Sequence, residues 1–177
     1  LTLLDYLLSL NLASKTLLEL GCGSGAISLY LAKYKEVDMH SSDINPQAVS
    51  GLIANIDQLQ LNVKTYQSDL FDNIPNVKFD TIIINPPFFD NPIESVDQYA
   101  FNTGKDFLYF KNLSAQLLNR KATIGDTYLI LTNKCKLEAI LSHFPQEYFT
   151  VNLKIKKKCF GETHLIYQMR IKKSDNL

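Results

Sequence analysis

At 177 residues with 46% of them hydrophobic, the chain suits one domain with a single core, burying roughly 70% of its unfolded surface. Its formal net charge of +0 on 20% charged residues excludes a strongly basic whole-protein footprint of the kind that drives non-specific nucleic-acid binding. Cys22, Cys135 and Cys159 lie far apart, with no C-x-x-C pair and no His at metal-ligand spacing, which excludes a disulfide framework and a structural metal and fits a reducing, cytoplasmic setting. No apolar run approaches the ~20 residues of a membrane span, and no signal-peptide pattern opens the chain. The neutral total hides an asymmetry. From Phe149 onward seven Lys and Arg face only Glu162 and Asp175, so a basic tail follows an acidic body.

In chain order, Leu3, Leu4, Leu7 and Leu8 have helical spacing and predict a short amphipathic helix from Thr2 to Leu10. Thr16 to Leu20 is a compact apolar strand ending at a glycine cluster, and Ala26 to Ala32 is the helix behind it. Val37 to Ser42 fits a second strand, and Pro46 after Asn45 opens a helix running to about Gln58. Val63 to Gln67 is a third strand. Phe79 to Ile84 is a fourth, with the continuous apolar run of a strand buried on both faces, stopped by Asn85-Pro86-Pro87. After an irregular stretch from Phe88 to Thr103 come a helix from Phe107 to Leu118, a fifth strand from Tyr128 to Thr132 and a helix from Lys136 to Phe144. Phe149 to Ile155 and Thr163 to Ile171 read as two extended runs joined by a Lys-rich, Gly161-containing connection. The alternation predicts an α/β fold: one Rossmann-like, doubly wound, seven-stranded, mostly parallel sheet over residues 1–177 with a C-terminal antiparallel hairpin.

The run Glu19-Leu20-Gly21-Cys22-Gly23-Ser24-Gly25 joins the first strand to its helix, where glycines let the backbone approach a ligand and free N–H groups point outward. Asp43 ends the second strand, eighteen positions past Gly25, where a carboxylate can accept both ribose hydroxyls in bonds worth roughly 1.5–3 kcal/mol each. Asp69 ends the third strand, in reach of an adenine amino group. Gly21, Gly23 and Ala26 equally satisfy the dinucleotide fingerprint, so this loop alone leaves NAD open. The Gly-x-Gly-x-Gly spacing behind Glu19 favours S-adenosylmethionine, whose methionine part carries an ammonium that NAD lacks. Glu19 can also simply hydrogen-bond the loop amides. Cys22, in this loop without a His partner, reads as a small residue rather than a nucleophile.

Asn85-Pro86-Pro87-Phe88 carries the sharpest signal. The lone pair of an amide or aromatic amine nitrogen is delocalised, and methyl transfer to it requires that pair to be localised. The Asn85 side-chain oxygen and the Pro86 carbonyl supply two acceptors for its two N–H bonds, Pro86 and Pro87 stiffen their backbone, and Phe88 offers a face for a flat group. No strong base is needed, because the methylated nitrogen becomes acidic as the bond forms. A simple strand-stopping turn is the competing reading of Asn-Pro-Pro; its place at the carboxyl end of the fourth strand favours the catalytic one.

Leu18 to Ser28, Ser42 to Ala48, Ser68 to Phe71 and Ile84 to Phe88, in this order, resemble the class I S-adenosylmethionine-dependent methyltransferases, in particular the HemK-like, small-domain branch that methylates nitrogen. The resemblance implies a cofactor set of Glu19, Gly21, Cys22, Gly23, Gly25, Asp43, Ile44, Asp69, Leu70 and Asn85, with Asn85, Pro86, Pro87 and Phe88 catalytic. Gly104 to Tyr109 looks like the segment after the catalytic loop in protein-glutamine methyltransferases, which implies a glutamine side chain as acceptor. Phe88 is Tyr in most of that group, and Asn-Pro-Pro-Phe is usual in ribosomal-RNA guanine methyltransferases, which keeps an RNA base open. The chain begins with Leu1, which leads us to expect a trimmed chain or a fragment without the separate N-terminal helical domain of the HemK-like glutamine enzymes. Lys154, Lys156, Lys157 and Lys158 either touch RNA phosphates or guard a solvated strand edge. His40, His143 and His164 share no spacing and read as structural. A nicotinamide oxidoreductase and a non-catalytic cofactor-binding subunit are the other readings, separable by cofactor titration and by methyl transfer from the isolated chain.

Overall fold

A computed structural model describes residues 2–172. Helix α1 (Thr2–Leu8) precedes β1 (Lys15–Leu20), α2 (Ala26–Tyr34), β2 (Val37–Asp43), α3 (Pro46–Leu59), β3 (Val63–Gln67) and β4 (Phe79–Ile84). Two short 3-10 turns, Val96–Ala100 and Lys105–Phe107, lead into α4 (Leu108–Asn119), followed by β5 (Ile124–Thr132), α5 (Leu137–Leu141), β6 (Phe149–Cys159) and β7 (Glu162–Ile171). The strands form one seven-stranded sheet in the order β3-β2-β1-β4-β5-β7-β6. All pairs from β3 to β5 are parallel, and β7 runs antiparallel to both β5 and β6.

The chain winds outward from β1 through β2 to β3 and then returns across β1 to β4. The direction of winding reverses between β1 and β4, and the crevice at such a reversal, above the carboxyl ends of the strands, is where this architecture holds ligands. Alternation along the central strands feeds two cores: Ile82 and Ile84 enter a cluster with Phe110, Leu113 and Leu117 of α4, while Ile83 joins Leu3, Leu7, Leu17 and Leu31 on the other face. Each of these fully buried aliphatic side chains contributes about 1.5–3 kcal/mol by leaving water. The continuous apolar run of β4 is thus explained by burial on both sides.

Three boundaries differ from the sequence reading by more than two residues. β5 begins at Ile124, four residues before Tyr128, because Gly125 allows the backbone of β5 to lie against Asp80: a Cβ there would stand 2.2 Å from the Asp80 carbonyl oxygen. α5 stops at Leu141, with Ser142 to Phe144 turning towards Pro145. β6 continues through the lysines to Cys159, so the connection to β7 is only Phe160-Gly161, both at positive φ (44° and 83°). That is the two-residue turn whose twist matches a hairpin. A register shift between Leu153 and Ile155 marks a bulge in β6.

Candidate active site

Strand register alone brings the predicted residues into one row. Leu20 pairs with Ser42 on one side and Ile84 on the other, and Asp43 pairs with Gln67. The residues that follow these pairs therefore stand in the order Asp69, Asp43, Gly21, Asn85 along the carboxyl edge of the sheet. Three strand spacings make this row about 14 Å long. It forms the floor of a cavity of about 320 Å³ lined by Gly21, Cys22, Gly23, Asp43, Ile44, Asp69, Leu70, Asn85 and Pro87, and walled by the helical side of the molecule.

The glycine loop is held by its own amides and by Asp43. Gly21 N and Cys22 N both donate to the Ser42 carbonyl at 2.9 Å, Gly25 N donates to the Cys22 carbonyl at 2.8 Å, and Gly23 N donates to Asp43 Oδ2 at 2.8 Å. Asp43 Oδ1 accepts from Asn45 N at 2.9 Å, and Asn45 in turn caps α3 by accepting from Gln47 N. Each carboxylate oxygen keeps a lone pair for a ligand hydroxyl. Gly21 and Gly23 have positive φ with open space where a Cβ would point, so they face the cavity. Gly25 does something else: a Cβ there would meet Leu52 Cδ1 at 2.4 Å, so it lets α2 pack on α3 and lines no cavity wall.

Glu19 lies behind the loop at 3% exposure and does not line the cavity. Its Oε2 accepts from Ser28 N at 3.0 Å and from the Ser28 hydroxyl, which also meets Ser41 Oγ. Burial pushes its carboxyl up to about 7, against the Ser28 hydrogen bonds. Neither a loop amide nor open solvent faces it among the described residues, so in this conformation it braces β1 against α2. Cys22 is buried beside Glu19 and Asp43, and desolvation, then these carboxylates, push its thiol far up, which removes any nucleophilic character.

Asn85 is exposed at the cavity rim, and its side-chain amide has no hydrogen-bond partner among the described residues. Pro86 is buried beneath it, Pro87 lines the cavity, and Phe88 is half-buried against the α4 core with its ring 4.7 Å from that of Phe89. Pro86 and Phe88 thus flank the lining rather than belong to it.

The far wall comes from residues the sequence reading left in an irregular stretch. Phe88 N and Phe89 N both donate to the Phe101 carbonyl, and Thr103 N and Oγ1 both donate to the Phe89 carbonyl, closing residues 88–103 into a clasped loop. Its 3-10 turn lays Val96, Asp97, Tyr99 and Ala100 along the cavity. Behind it Gly104, Asp106 and Phe107 all take positive φ, a bend that aims Tyr109 from the first turn of α4 into the same space. Burial, and then Asp69 and Asp43, hold the Tyr109 hydroxyl well above its usual range, so it stays protonated and available as a donor. The loop after β3 is fastened from α4: Gln116 Oε1 accepts from Phe71 N, and Arg120 donates to the carbonyls of Phe71, Ile74 and Pro75 while covering the Phe71 ring at 5.1 Å. Only sequence distance hid these contributions, since nothing local in α4 announces that its Gln116 and Arg120 reach back 45 and 46 residues.

The family model for the methyltransferase small domain matches residues 2–148. The chain is 29% identical over 164 residues to the release factor glutamine methyltransferase of Lactococcus lactis subsp. lactis, covering 86% of this chain and 60% of that one. It is 33% identical over 129 residues to the tRNA1(Val) (adenine(37)-N6)-methyltransferase of Shewanella loihica, covering 68% of this chain and 53% of the other. The chain thus spans little more than half the length of these curated relatives. Among solved structures, the Mtq2–Trm112 complex of E. cuniculi, which methylates the eRF1 translation termination factor, superposes with a TM-score of 0.71 over 96% of this chain and 92% of the other at 22% identity, a likeness of fold. With the family model matching residues 2–148, this chain belongs to the methyltransferase small domain family.

Proposed function

We propose that the chain transfers a methyl group from S-adenosylmethionine to a planar amide or amino nitrogen. The observation that carries this reading is the row itself: two carboxylates, a glycine-lined hollow and an unpartnered carboxamide at the ends of four adjacent strands. S-adenosylmethionine supplies an electrophilic methyl on a sulfonium. The residues present fit it: Asp43 accepts ribose hydroxyls, Asp69 sits where an adenine amino group needs an acceptor, and the volume falls in the range of small-ligand sites. Burial, then Asp72, raises the Asp69 carboxyl, and an amino donor would draw it back down.

At the other end of the row, Asn85 Oδ1 accepts one N–H of the acceptor nitrogen and the Pro86 carbonyl the other. Held by both, the nitrogen keeps its lone pair on the methyl side, and Pro86 and Pro87 keep the acceptors from drifting. The proton lost from the methylated nitrogen passes to water at the open rim, so no His is required. A glutamine amide and an exocyclic base amine present the same two N–H bonds, and the two relatives' names cover both kinds of acceptor. Incubating the chain with a cell extract and methyl-labelled S-adenosylmethionine tests the reading. Label in a macromolecular fraction is expected. Preferential binding of NAD with no labelled product overturns it in favour of an oxidoreductase.

A further inference from the structure

The β6–β7 hairpin overhangs the active-site edge of the sheet. Ile84 pairs with Leu129 and Leu129 with Tyr167, so Asn85 lies level with Ile166 two strands away. From there β7 continues five residues back to Gly161, which puts the turn about 16 Å above the level of Asn85 and about 10 Å to its side. Lys156 pairs with Leu165 and Lys158 with Thr163, placing both on the face that carries Tyr167 and Met169, the α4 and α5 face on which the clasped loop also lies. Lys157 points to the other face, where it meets Asp5 at 3.4 Å.

Among the described residues, Lys154, Lys156 and Lys158 have no acidic partner. Glu162 on the hairpin is engaged with Lys134 and His164, and Asp90 in the clasped loop with Lys136. The hairpin is therefore positive, although the whole chain is neutral. At the tip stands Phe160, fully exposed and held at φ 44°, a backbone region in which a bulky residue is strained and Gly or Asn is favoured. Lysines on an edge strand discourage sheet extension, and that accounts for a charge there. It does not account for an unpacked aromatic ring kept in a strained turn. Phe89 and Phe101 of the clasped loop are also exposed.

We propose that this hairpin docks a single-stranded nucleic acid, with Lys154, Lys156 and Lys158 on its phosphates and Phe160 stacked on a base, so that the base amine of a nucleotide further along the strand reaches Asn85. The proposal rests on the methyltransferase reading and selects the acceptor class within it. Phosphates supply the charge complementarity, and an unpaired base supplies the flat face that an exposed phenyl ring binds without sequence preference. A protein segment carrying glutamine needs neither feature.

The test measures binding of a fluorescein-labelled, mixed-sequence single-stranded RNA to the whole chain by anisotropy across a salt series, with thermal shift by S-adenosylmethionine on the same samples. Lys156→Ala/Lys158→Ala should lower the slope of log affinity against log salt by about 1.4, and Phe160→Gly should weaken binding about tenfold. Glycine suits the turn, so Phe160→Gly should fold at least as well as the parent chain, which separates lost stacking from lost structure. Both variants should keep the parent's thermal shift with S-adenosylmethionine. Absence of RNA binding by the parent chain, unchanged affinity and slope in both variants, or methylation of a glutamine peptide with none of RNA would each overturn the proposal. Loss of the thermal shift in the parent chain with RNA still bound at the hairpin would leave the docking arm standing and remove the methyltransferase reading instead.

Discussion

Asn85 leaves the end of β4 with its amide unpartnered among the described residues, two strands away from Asp43 and its bond to the glycine loop. Positioning of the acceptor by Asn85 is therefore separable from cofactor binding. Asn85→Ala should lower the methyl-transfer rate by about a hundredfold or more while leaving the dissociation constant for S-adenosylmethionine within about twofold. Equal losses in single-turnover rate and in affinity would contradict a role confined to the acceptor nitrogen. Glu19 invites a different measurement. Its folded-state carboxyl is raised to about 7 from 4.5, so the native state holds the proton more tightly than the unfolded chain. The stability this contributes is fully present below 4.5 and is lost as pH rises through about 7. Denaturant titrations should show the parent chain losing up to about 1.4 kcal/mol per pH unit relative to Glu19→Gln across that window. Identical pH dependence in the two chains would reject the buried brace. Asp43, Asp69 and Asn85 were legible in the sequence because Asp43 ends a strand, Asn85 directly follows one and Asp69 stands two residues past one, and parallel register fixes where strand ends meet. The bracing by Glu19 was not, since it depends on Ser28 one helix turn away from the loop.

Elements divide in the same way. β4 announced itself through burial on both faces, whereas the start of β5 was masked by Gly125, a residue that lowers strand propensity and is there because the Asp80 backbone leaves no room for a Cβ. Gly161 marked the hairpin turn but not its length: Phe160 stands at a position where Asn or Gly would have sharpened it, and the lysines before it read as a connection although they belong to β6. The clasped loop of residues 88–103 is closed chiefly by backbone hydrogen bonds, with Thr103 and Asn102 side chains adding to them, and nothing periodic in the sequence marks such a closure. α4 likewise has a double duty that its periodicity conceals, since its buried face supports the core while Arg120 at its end gathers three carbonyls of the loop after β3. Arg120→Ala should destabilise the chain by about 1–3 kcal/mol and weaken S-adenosylmethionine binding through the loop that carries Asp69, without changing the rate of transfer from the bound state. Thermal melts and calorimetry on this variant check both parts; a slowed transfer step with unaltered binding would contradict the supporting role.

Across the whole molecule, a neutral chain acquires function through arrangement. The winding reversal between β1 and β4 sets the crevice, the register aligns two carboxylates and a carboxamide along it, and the antiparallel insertion of β7 lifts a basic, aromatic-tipped hairpin over the same edge. A ligand that binds only the folded chain should stabilise it by about 2.7 kcal/mol at a hundred times its dissociation constant. The direct test of the cofactor assignment is an isothermal titration with S-adenosylmethionine and with NAD, run on the parent chain and on Asp43→Ala. Saturable binding of S-adenosylmethionine in preference to NAD, weakened at least about tenfold by Asp43→Ala, is expected. Preference for NAD, or affinity for S-adenosylmethionine untouched by the loss of that carboxylate, would contradict that assignment.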